Sequence, residues 1–554
     1  YFLYLVSILT KTLTFLRKSG KAEMKKILIG LVGSLSGFSL ISPLLALDHS
    51  VGERGINARR LQQAPYNLLG RKIAIGQVEI GRAGKFGWDK AAVGNYPFSL
   101  ADVFYRDRAA NPNQHLDPHA VMVATVMVSQ EKGLQGVAPA AKLYSSAVGS
   151  LRQAGQPEEC LTAQATALQN SGDVRAINFS FGDSLERDPR ENATLDGDAL
   201  LTQCVDWSAR VHNTLYVVAG NQGEGGIPIP TDQYNGITVA YSTQRDQIYQ
   251  KVGFPNLGGE PTGIGRRLVM QEINTKGRSG VGLVAPGDDI TVYHPKRKTV
   301  SVSGTSFAAP HVTGTVALLQ EYSDRVLQDL ASHQSSSFPS RWSLEARNPE
   351  VMKAVLLNAA DKVKTPTLDM TRTLYSKQNE IWLDSNAYQT PEMPLDLQMG
   401  AGHLNSFRAY QQFQAGQWHP QDSVPTIGWD YNEVSANTHQ DYHIAQPLAA
   451  GTYATVTLAW HRQVELADKN NNERYDLGET FRDRGLNNLN LFLVPIGNPS
   501  EAISQCASVS KVDSVEHIFC KVPETGRYKI RVQFAKQTHY SVQPYGLAWW
   551  TISE

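Results

Sequence analysis

The chain has 554 residues, which on usual domain sizes is room for about two to four domains. It carries 52 basic and 52 acidic residues, so its charge balance gives no support to nucleic acid or an anionic membrane surface as a partner. Hydrophobic residues make up 41% and charged residues 19%, which favours a large folded core and excludes a mainly disordered chain.

Residues 24–47, MKKILIGLVGSLSGFSLISPLLAL, have the order of a secretory signal peptide: a methionine, two lysines, an apolar stretch and the small residue Ala46. The alternative is a membrane anchor, but glycine and serine interrupt the stretch and it is short for a span. We therefore expect a secreted protein, extracellular or periplasmic, without stable membrane insertion. Residues 1–23 are interpreted as a flanking extension and 48–70 as a short N-terminal segment.

Strand-like and helix-like segments alternate from residue 71 onwards. KIAIGQVEIG and VRAINFSFG are typical of buried strands, and HAVMVATVMVSQ and DALLTQCVDWSARVHN of helices. This alternation predicts an α/β domain over residues 71–412, with a parallel sheet covered by helices on both faces. Polar segments at 243–278, 331–349 and 364–397 are expected to be surface insertions.

The pattern changes to a period of two after about residue 412. TYATVTLAW and RYKIRVQF each place apolar side chains on one face and polar ones on the other, and turn residues separate such runs. We predict an antiparallel β-sandwich domain over 430–554, preceded by a linker at 413–429.

Four cysteines, an even number, fit an exported protein. Of the three pairings that four cysteines allow, we expect the local one, in which Cys160 pairs with Cys204 and Cys506 with Cys520. Four unpaired buried thiols are the alternative.

Ser306 lies in SVSGTSFAAPHV, at the predicted start of an apolar helix. A serine at this position is usually only a helix cap, but the small residues around it leave room for another chain to approach. Pro310 is expected to be tolerated because N–H groups in the first helical turn lack intrahelical partners. A nucleophilic serine also needs a base, a group that orients the base, and donors for the oxyanion.

Three residues are candidates for those roles. His119, one of 14 histidines, opens a predicted helix. Glu79 ends an apolar strand, where a charge requires a partner, although a glutamate in a salt bridge at the rim is the alternative. Asn221 lies in the glycine-rich turn VAGNQGEGG, where a simple turn-forming role is the alternative.

The order carboxylate, histidine, asparagine, serine resembles that of the subtilases, the subtilisin-like serine proteases. SGTSFAAPHVTG is similar to the family's nucleophile motif, VAGNQG to its oxyanion segment, and MGAGHLNSFRAY to the motif that closes its catalytic domain. GVAPAAKLYSSAV, INFSFG and VGLVAPGDDI match intervening segments, so the resemblance covers about residues 71–412.

The resemblance implies a secreted serine endopeptidase that needs no cofactor for its chemistry, acts as a monomer and takes protein or peptide substrates. It implies that Ser306 is the nucleophile, His119 the general base and Glu79 the orienting carboxylate. Asn221 and the Ser306 amide would then bind the oxyanion. The substrate-binding edge strand is implied to comprise Ser180, Phe181 and Gly182.

Two positions depart from the family pattern. Glu79 occupies the place of an aspartate, and Ala120 follows the histidine where a glycine is usual. A glutamate can still accept a hydrogen bond from the imidazole, and the alanine methyl group could crowd the substrate groove. These departures leave open a catalytically inactive binding module with a subtilase fold. Sedolisins, which use a glutamate–aspartate pair, are a further alternative that His119 argues against.

The loop DKNNNERYDLGE in the predicted sandwich has oxygen-bearing side chains at positions 1, 3, 5, 9 and 12 of an EF-hand-like pattern. These are Asp468, Asn470, Asn472, Asp476 and Glu479. Position six is Glu473, where the calcium loop usually has glycine, so a solvated hairpin loop is the alternative. Calcium bound here would be a structural ion.

Overall fold

A mostly parallel sheet of nine strands lies at the centre of the described part of the chain. The computed structural model describes residues 47–84, 99–111, 115–149, 155–220, 228–254, 277–296, 298–332, 342–497 and 506–553. Residues 46–554 form one compact unit, and residues 24–46 of the predicted signal peptide lie outside the described residues. Within these ranges, no helix is both long and apolar enough to cross a membrane.

The sheet has the order β3-β2-β4-β1-β5-β6-β7-β8, with β9 beside β7. Its strands are β1 Ala74–Glu79, β2 Asp102–Tyr105, β3 Arg108–Ala109, β4 Lys142–Ala147, β5 Val174–Phe179, β6 Leu215–Ala219, β7 Ile237–Arg245, β8 Ile248–Phe254 and β9 Leu283–Pro286. Only the β2–β3 and β7–β8 pairs are antiparallel among these strands. Every residue of β1 and β5 is buried, as expected when helices cover both faces of a sheet.

Helices pack on the two faces and connect the strands. The described α-helices are α1 Asp48–Val51, α2 Arg59–Gln62, α3 Pro118–Val128, α4 Gln156–Ala167, α5 Gln169–Gly172, α6 Leu200–Val211, α7 Thr305–Ala331, α8 Pro349–Asn358, α9 Asn386–Gln389 and α10 Ser406–Gln414. The long helix α7 is buried along most of its length and lies in the main hydrophobic core. The predicted α/β fold class with a largely parallel sheet is therefore confirmed.

The C-terminal region adds further sheets that are antiparallel apart from the β12–β14 pair. They are a five-stranded sheet in the order β12-β14-β21-β18-β19, a four-stranded sheet in the order β13-β22-β15-β20, and a hairpin of β16 and β17, whereas the β10–β11 hairpin precedes α7 in the α/β region. The strands are β10 Ile290–His294, β11 Lys298–Val302, β12 Ser423–Val424, β13 Ile427–Ser435, β14 His439–Ile444, β15 Tyr453–Trp460, β16 Gln463–Ala467, β17 Thr480–Gly485, β18 Asn488–Pro495, β19 Ala507–Ser508, β20 Val515–Lys521, β21 Tyr528–Lys536 and β22 Val542–Trp550.

The C-terminal sheets pack directly on the α/β region. Asn358, at the end of α8, accepts hydrogen bonds from Thr455 at 2.9 Å and Thr457 at 3.0 Å, both in β15. Trp429 is fully buried and lies in the same core as helix α7. The segment predicted as a linker is therefore packed, while the division into domains at 412 and 430 stays a prediction.

Both predicted disulfides are present. Cys160 in α4 is bonded to Cys204 in α6, and Cys506 to Cys520. Residues 243–254 belong to the β7–β8 hairpin, and 244–247 at its turn are exposed, as expected of a surface segment. The prediction of a surface insertion was wrong for 364–397. Residues 364–397 enclose the fully buried Trp382, which packs on Phe519 of β20 with a ring-centroid distance of 5.6 Å.

Candidate active site

Glu79 and His119 are in direct contact at the carboxyl end of β1. Glu79 Oε2 lies 3.1 Å from His119 Nδ1, and the glutamate is only 2% exposed. Its Oε1 is buried without a partner among the described residues. A buried carboxylate on Nδ1 fixes the imidazole with Nε2 free to accept a proton.

A short backbone pairing brings His119 to Glu79. The Arg82 N–H donates to the carbonyl of His115 at 2.6 Å, and the Asp117 N–H donates to the carbonyl of Arg82 at 3.0 Å. A Cβ atom on Gly81 would lie 2.5 Å from the Asp117 Cβ and 2.8 Å from the His115 oxygen, so only glycine permits this approach.

Helix α3 begins at Pro118, and its N-cap residue Asp117 accepts hydrogen bonds from the backbone N–H groups of His119 and Ala120. The catalytic histidine candidate therefore lies in the first turn of a capped helix. The cap therefore holds the backbone of His119 in place, and the imidazole extends from that position to Glu79.

Burial and charge act in opposite directions on this pair. Burial is the largest single influence on His119 and lowers its pKa, but the charge and hydrogen bond of Glu79, together with the charge of Asp117, outweigh burial and hold the pKa above its ordinary value. Burial raises the pKa of Glu79, and the neighbouring His119 only partly offsets it. The contact thus makes His119 a stronger base than an isolated imidazole.

Ser306 lies in the first turn of α7. The preceding Gly304 has φ of 149°, a conformation that favours glycine, and it is the N-cap residue of the helix. Thr305 Oγ1 donates to the carbonyl of Gly220 at 2.6 Å, which ties this turn to the residue that follows β6. The N–H of Ser306 belongs to the first turn, where helical N–H groups have no intrahelical acceptor.

Ser306 and Ser180 are joined by two hydrogen bonds. Ser306 Oγ donates to the carbonyl of Ser180 at 3.3 Å, and Ser180 Oγ donates to the carbonyl of Ser306 at 3.0 Å. The His119 ring lies beside Phe307, with a centroid distance of 5.6 Å. Among the hydrogen bonds of the described residues, none joins Ser306 to His119, so the serine hydroxyl must turn away from Ser180 to reach the base.

The second of these bonds explains Pro310. Helix α7 starts at Thr305, so Pro310 lies beyond the first turn, and the expected reason for its tolerance, a place among N–H groups without partners, was wrong. A residue at 310 would normally donate its N–H to the carbonyl of Ser306, which proline cannot do. Ser180 Oγ supplies the missing donor.

Of the predicted oxyanion donor and the predicted substrate-binding strand, only the strand lies within the described residues. Asn221 lies outside the described residues. Ser180, Phe181 and Gly182 follow the end of β5 and are all buried, and Phe181 stacks on Phe179 with a centroid distance of 4.6 Å. The backbone of this segment, through the Ser180 carbonyl, is what contacts Ser306.

The predicted calcium loop connects β16 and β17 and is closed by its own hydrogen bonds. Asp468 accepts the backbone N–H groups of Asn470, Asn471 and Glu473. Asp476 accepts from the side-chain amides of Asn470 and Asn472, and Glu479 accepts the N–H groups of Lys469 and Asp476. The described residues contain no group of three or more His, Cys, Asp or Glu arranged to hold a metal ion, so calcium binding stays a prediction.

The sequence model of the subtilase family matches residues 95–375, about half of the 554 residues. The chain belongs to the subtilase family. His119 and Ser306 lie within the matched range, and Glu79 precedes it.

Two curated subtilases are similar over part of the chain. Subtilisin Savinase of Lederbergia lenta is 30% identical over 190 residues, which cover 34% of this chain and 57% of that protein. The major intracellular serine protease of Bacillus subtilis (strain 168) is 26% identical over 219 residues, which cover 38% of this chain and 57% of that protein. The chain thus spans little more than half the length of these relatives.

The crystal structure of a cold adapted subtilisin-like serine proteinase is 19% identical, with a TM-score of 0.35. The alignment covers 56% of this chain and 88% of that one. The family assignment depends on the sequence match.

The structure shows how the protein accommodates the two residues that depart from the subtilase pattern, Glu79 and Ala120. Glu79 reaches the imidazole with its longer side chain at an ordinary hydrogen-bond distance. Ala120 is fully buried in the main hydrophobic core, so its methyl group packs inside the protein, and the expectation that it could crowd the substrate groove was wrong.

Sequence reasoning missed two supporting residues. Gln77 in β1 is fully buried and donates from Nε2 to the carbonyl of Ala120 at 2.8 Å, which ties β1 to α3. An amide inside the apolar run AIGQVE was a signal for it, because a buried polar group requires a partner. Asp117 was also missed, although Asp followed by Pro at a helix start is a common capping pattern.

Proposed function

We propose that the chain is a serine endopeptidase that uses Ser306, His119 and Glu79 as its catalytic triad. The contact of 3.1 Å between Glu79 and His119 carries the proposal, because a buried carboxylate on Nδ1 is the arrangement that a catalytic imidazole needs. Membership of the subtilase family supports the reaction class.

In this mechanism the Ser306 hydroxyl leaves the Ser180 carbonyl, turns to His119 Nε2 and attacks the scissile carbonyl. His119 takes the proton and returns it to the leaving amine, while Glu79 stabilises the imidazolium. Asn221 and the Ser306 N–H are proposed to bind the oxyanion, and such side-chain donors contribute about 10²–10³ in kcat. No step needs a cofactor.

We propose that a peptide substrate binds in extended form along Ser180–Gly182, whose backbone already contacts Ser306. Export from the cytoplasm is supported by the signal-peptide pattern at 24–47 and by two disulfides, which persist in oxidising compartments. The proposed organisation is a catalytic domain at 71–412 with an appended β-domain at 430–554, acting as a monomer.

Casein hydrolysis by the full chain tests the proposal. The unsubstituted chain should cleave casein, and Ser306→Ala should reduce cleavage at least about 10³-fold while keeping the same thermal unfolding temperature. Equal cleavage by both chains would remove Ser306 from the mechanism. A folded chain without any cleavage would favour the binding-module alternative, which nothing in the family comparison supports.

A further inference from the structure

A cavity of about 510 Å³ lies where α6 and α8 meet the C-terminal sheets. Its lining includes Arg210 at the end of α6, Glu350 at the start of α8 and His461 after β15, with His539 and Tyr540 from the loop before β22. The volume is within the range of small-molecule binding sites.

The cavity is separate from the candidate active site. Glu79, Ser180 and Gly220 all lie at the carboxyl ends of their strands, β1, β5 and β6. Arg210 precedes β6 in the chain. In a parallel sheet, the segment before a strand lies at the amino ends of the strands, opposite their carboxyl ends, so Arg210 lies on the other side of the sheet from the site. None of the triad residues lines the cavity.

Arg210 contributes a buried donor with no acceptor. Its Nη2 donates to the carbonyl of Val464 at 2.9 Å, but its Nε is buried without a hydrogen-bond partner. No salt bridge within 4.0 Å joins Arg210 to a described residue, although the charges of Glu465 and Glu350 attract it from further away. Arg210 lies in the last turn of α6, where the helix dipole favours a cation. Its Nε–H nevertheless has no acceptor among the described residues.

His461 contributes a second donor. It is 5% exposed, and its Nδ1 lies 3.1 Å from Glu350 Oε1, while its Nε2 is buried without a partner. One proton is shared between Nδ1 and the carboxyl group. A second proton, on Nε2, makes the buried pair neutral, and burial favours the neutral form because an uncompensated charge is costly there. Burial also raises the pKa of Glu350 to about 7, in agreement with a neutral pair.

His539 contributes a third donor, and its tautomer follows from Asn487. Asn487 Oδ1 accepts the backbone N–H groups of Thr538 at 2.8 Å and His539 at 3.1 Å, which fixes the orientation of the amide. The amide nitrogen therefore faces His539 Nδ1 at 3.4 Å, so Nδ1 is the acceptor and Nε2 carries the proton. This Nε2 is also buried without a partner.

We propose that this cavity binds a carboxylate group attached to an apolar body. Arg210, His461 and His539 all line the cavity, and each has a buried donor without a partner among the described residues, whereas buried polar groups are usually hydrogen-bonded. Arg210 is the cation of the lining and matches a single negative charge, whereas the Glu433 carboxylate in the lining disfavours a dianion such as phosphate. Tyr540 is 58% exposed and Val542 36% exposed, and both line the cavity, where they offer apolar surface to the rest of the ligand. The site is independent of the proposed proteolysis.

The carboxylate could belong to a free organic acid or to the C-terminus of a peptide, and one calorimetric experiment distinguishes the sources. The full chain carrying Ser306→Ala, which prevents cleavage, is titrated with 3-phenylpropionate and with the neutral 3-phenylpropanamide. It is then titrated with the peptide acetyl-Ala-Ala-Phe as the free acid and as its C-terminal amide. Each acid differs from its amide only in the charged group.

The acids should bind with one-to-one stoichiometry and at least about tenfold more tightly than their amides. Tighter binding of the peptide acid than of 3-phenylpropionate identifies a peptide C-terminus, and the reverse order identifies a small acid. Arg210→Gln and His539→Phe should each weaken binding of the acid about tenfold, while the exposed Arg527→Gln should leave it unchanged. No saturable binding of either acid, or equal binding of acid and amide, would overturn the proposal even if a cavity variant failed to fold.

Discussion

Ser180 and Ser306 exchange hydrogen bonds in both directions, each hydroxyl donating to the other residue's carbonyl. The two residues are 126 positions apart in the chain. The exchange holds the segment after β5 against the first turn of α7, and it supplies the donor that Pro310 withholds from the helix.

Ser180→Ala should therefore destabilise the protein by about 1 kcal/mol, because the Ser306 carbonyl loses its donor. Pro310→Ala restores a helical N–H to the same carbonyl, so Ser180→Ala should cost less in a Pro310→Ala chain. Urea denaturation of the four chains in this double-mutant cycle measures the coupling. Additive effects of the two changes would show that the two groups do not serve the same carbonyl.

The pKa of His119 should appear in the pH profile of proteolysis. The base must be neutral to accept the serine proton, and its pKa is raised above the ordinary value of 6.5. The quantity kcat/KM should accordingly fall as the pH falls through a midpoint above 6.5.

Glu79→Gln removes the attraction that raises this pKa, so the acidic limb should move to lower pH while kcat drops roughly 10³- to 10⁴-fold. Glu158→Gln is the control and should leave the limb in place, because Glu158 lies in the first turn of α4, away from His119, and glutamine can still accept the hydrogen bond from the Gly155 N–H. An unshifted limb in Glu79→Gln would mean that Glu79 does not act on His119.

Gly81→Ala should impair the site by steric displacement. The new Cβ would lie 2.5 Å from the Asp117 Cβ and 2.8 Å from the His115 carbonyl, so the segment that caps α3 and positions His119 must move. We expect a loss of kcat of at least about tenfold with a smaller change in KM, since small misplacements of catalytic groups are costly. Gly526→Ala, where a Cβ meets no atom within 4 Å, is the matched control. Equal activity of the two variants would contradict the described geometry.

The calcium prediction can be tested on the loop itself. Calcium added to chelator-treated protein should raise Tm, and Asp468→Asn should remove most of that rise, because Asp468 is the first residue of the pattern. Lys511→Gln, outside the loop, should retain it. If Tm does not respond to calcium, the hydrogen bonds that close the loop are sufficient, and the hairpin alternative holds.

Local patterns predicted much of this structure. Alternating strand and helix signals indicated the parallel sheet, and they placed Glu79 at a strand end and His119 at a helix start, as the structure has them. The disulfide pairing also followed from spacing along the chain.

Contacts between distant segments were not predictable in this way. The bond from Ser180 to Ser306 depends on where β5 ends relative to α7. Composition alone suggested that 364–397 was surface, although Trp382 within it is buried against Phe519. The cavity at Arg210 and His461 is likewise formed by segments about 250 residues apart, so no local pattern could have indicated it.

Reaction with a fluorophosphonate tests the central claim most directly, because these reagents phosphonylate a serine that a neighbouring base activates, with loss of fluoride. The triad predicts stoichiometric labelling, located at Ser306 by peptide mass spectrometry, abolished by Ser306→Ala and strongly slowed by His119→Ala. A folded chain that gains no label at Ser306 would contradict the assignment of Ser306 as the nucleophile.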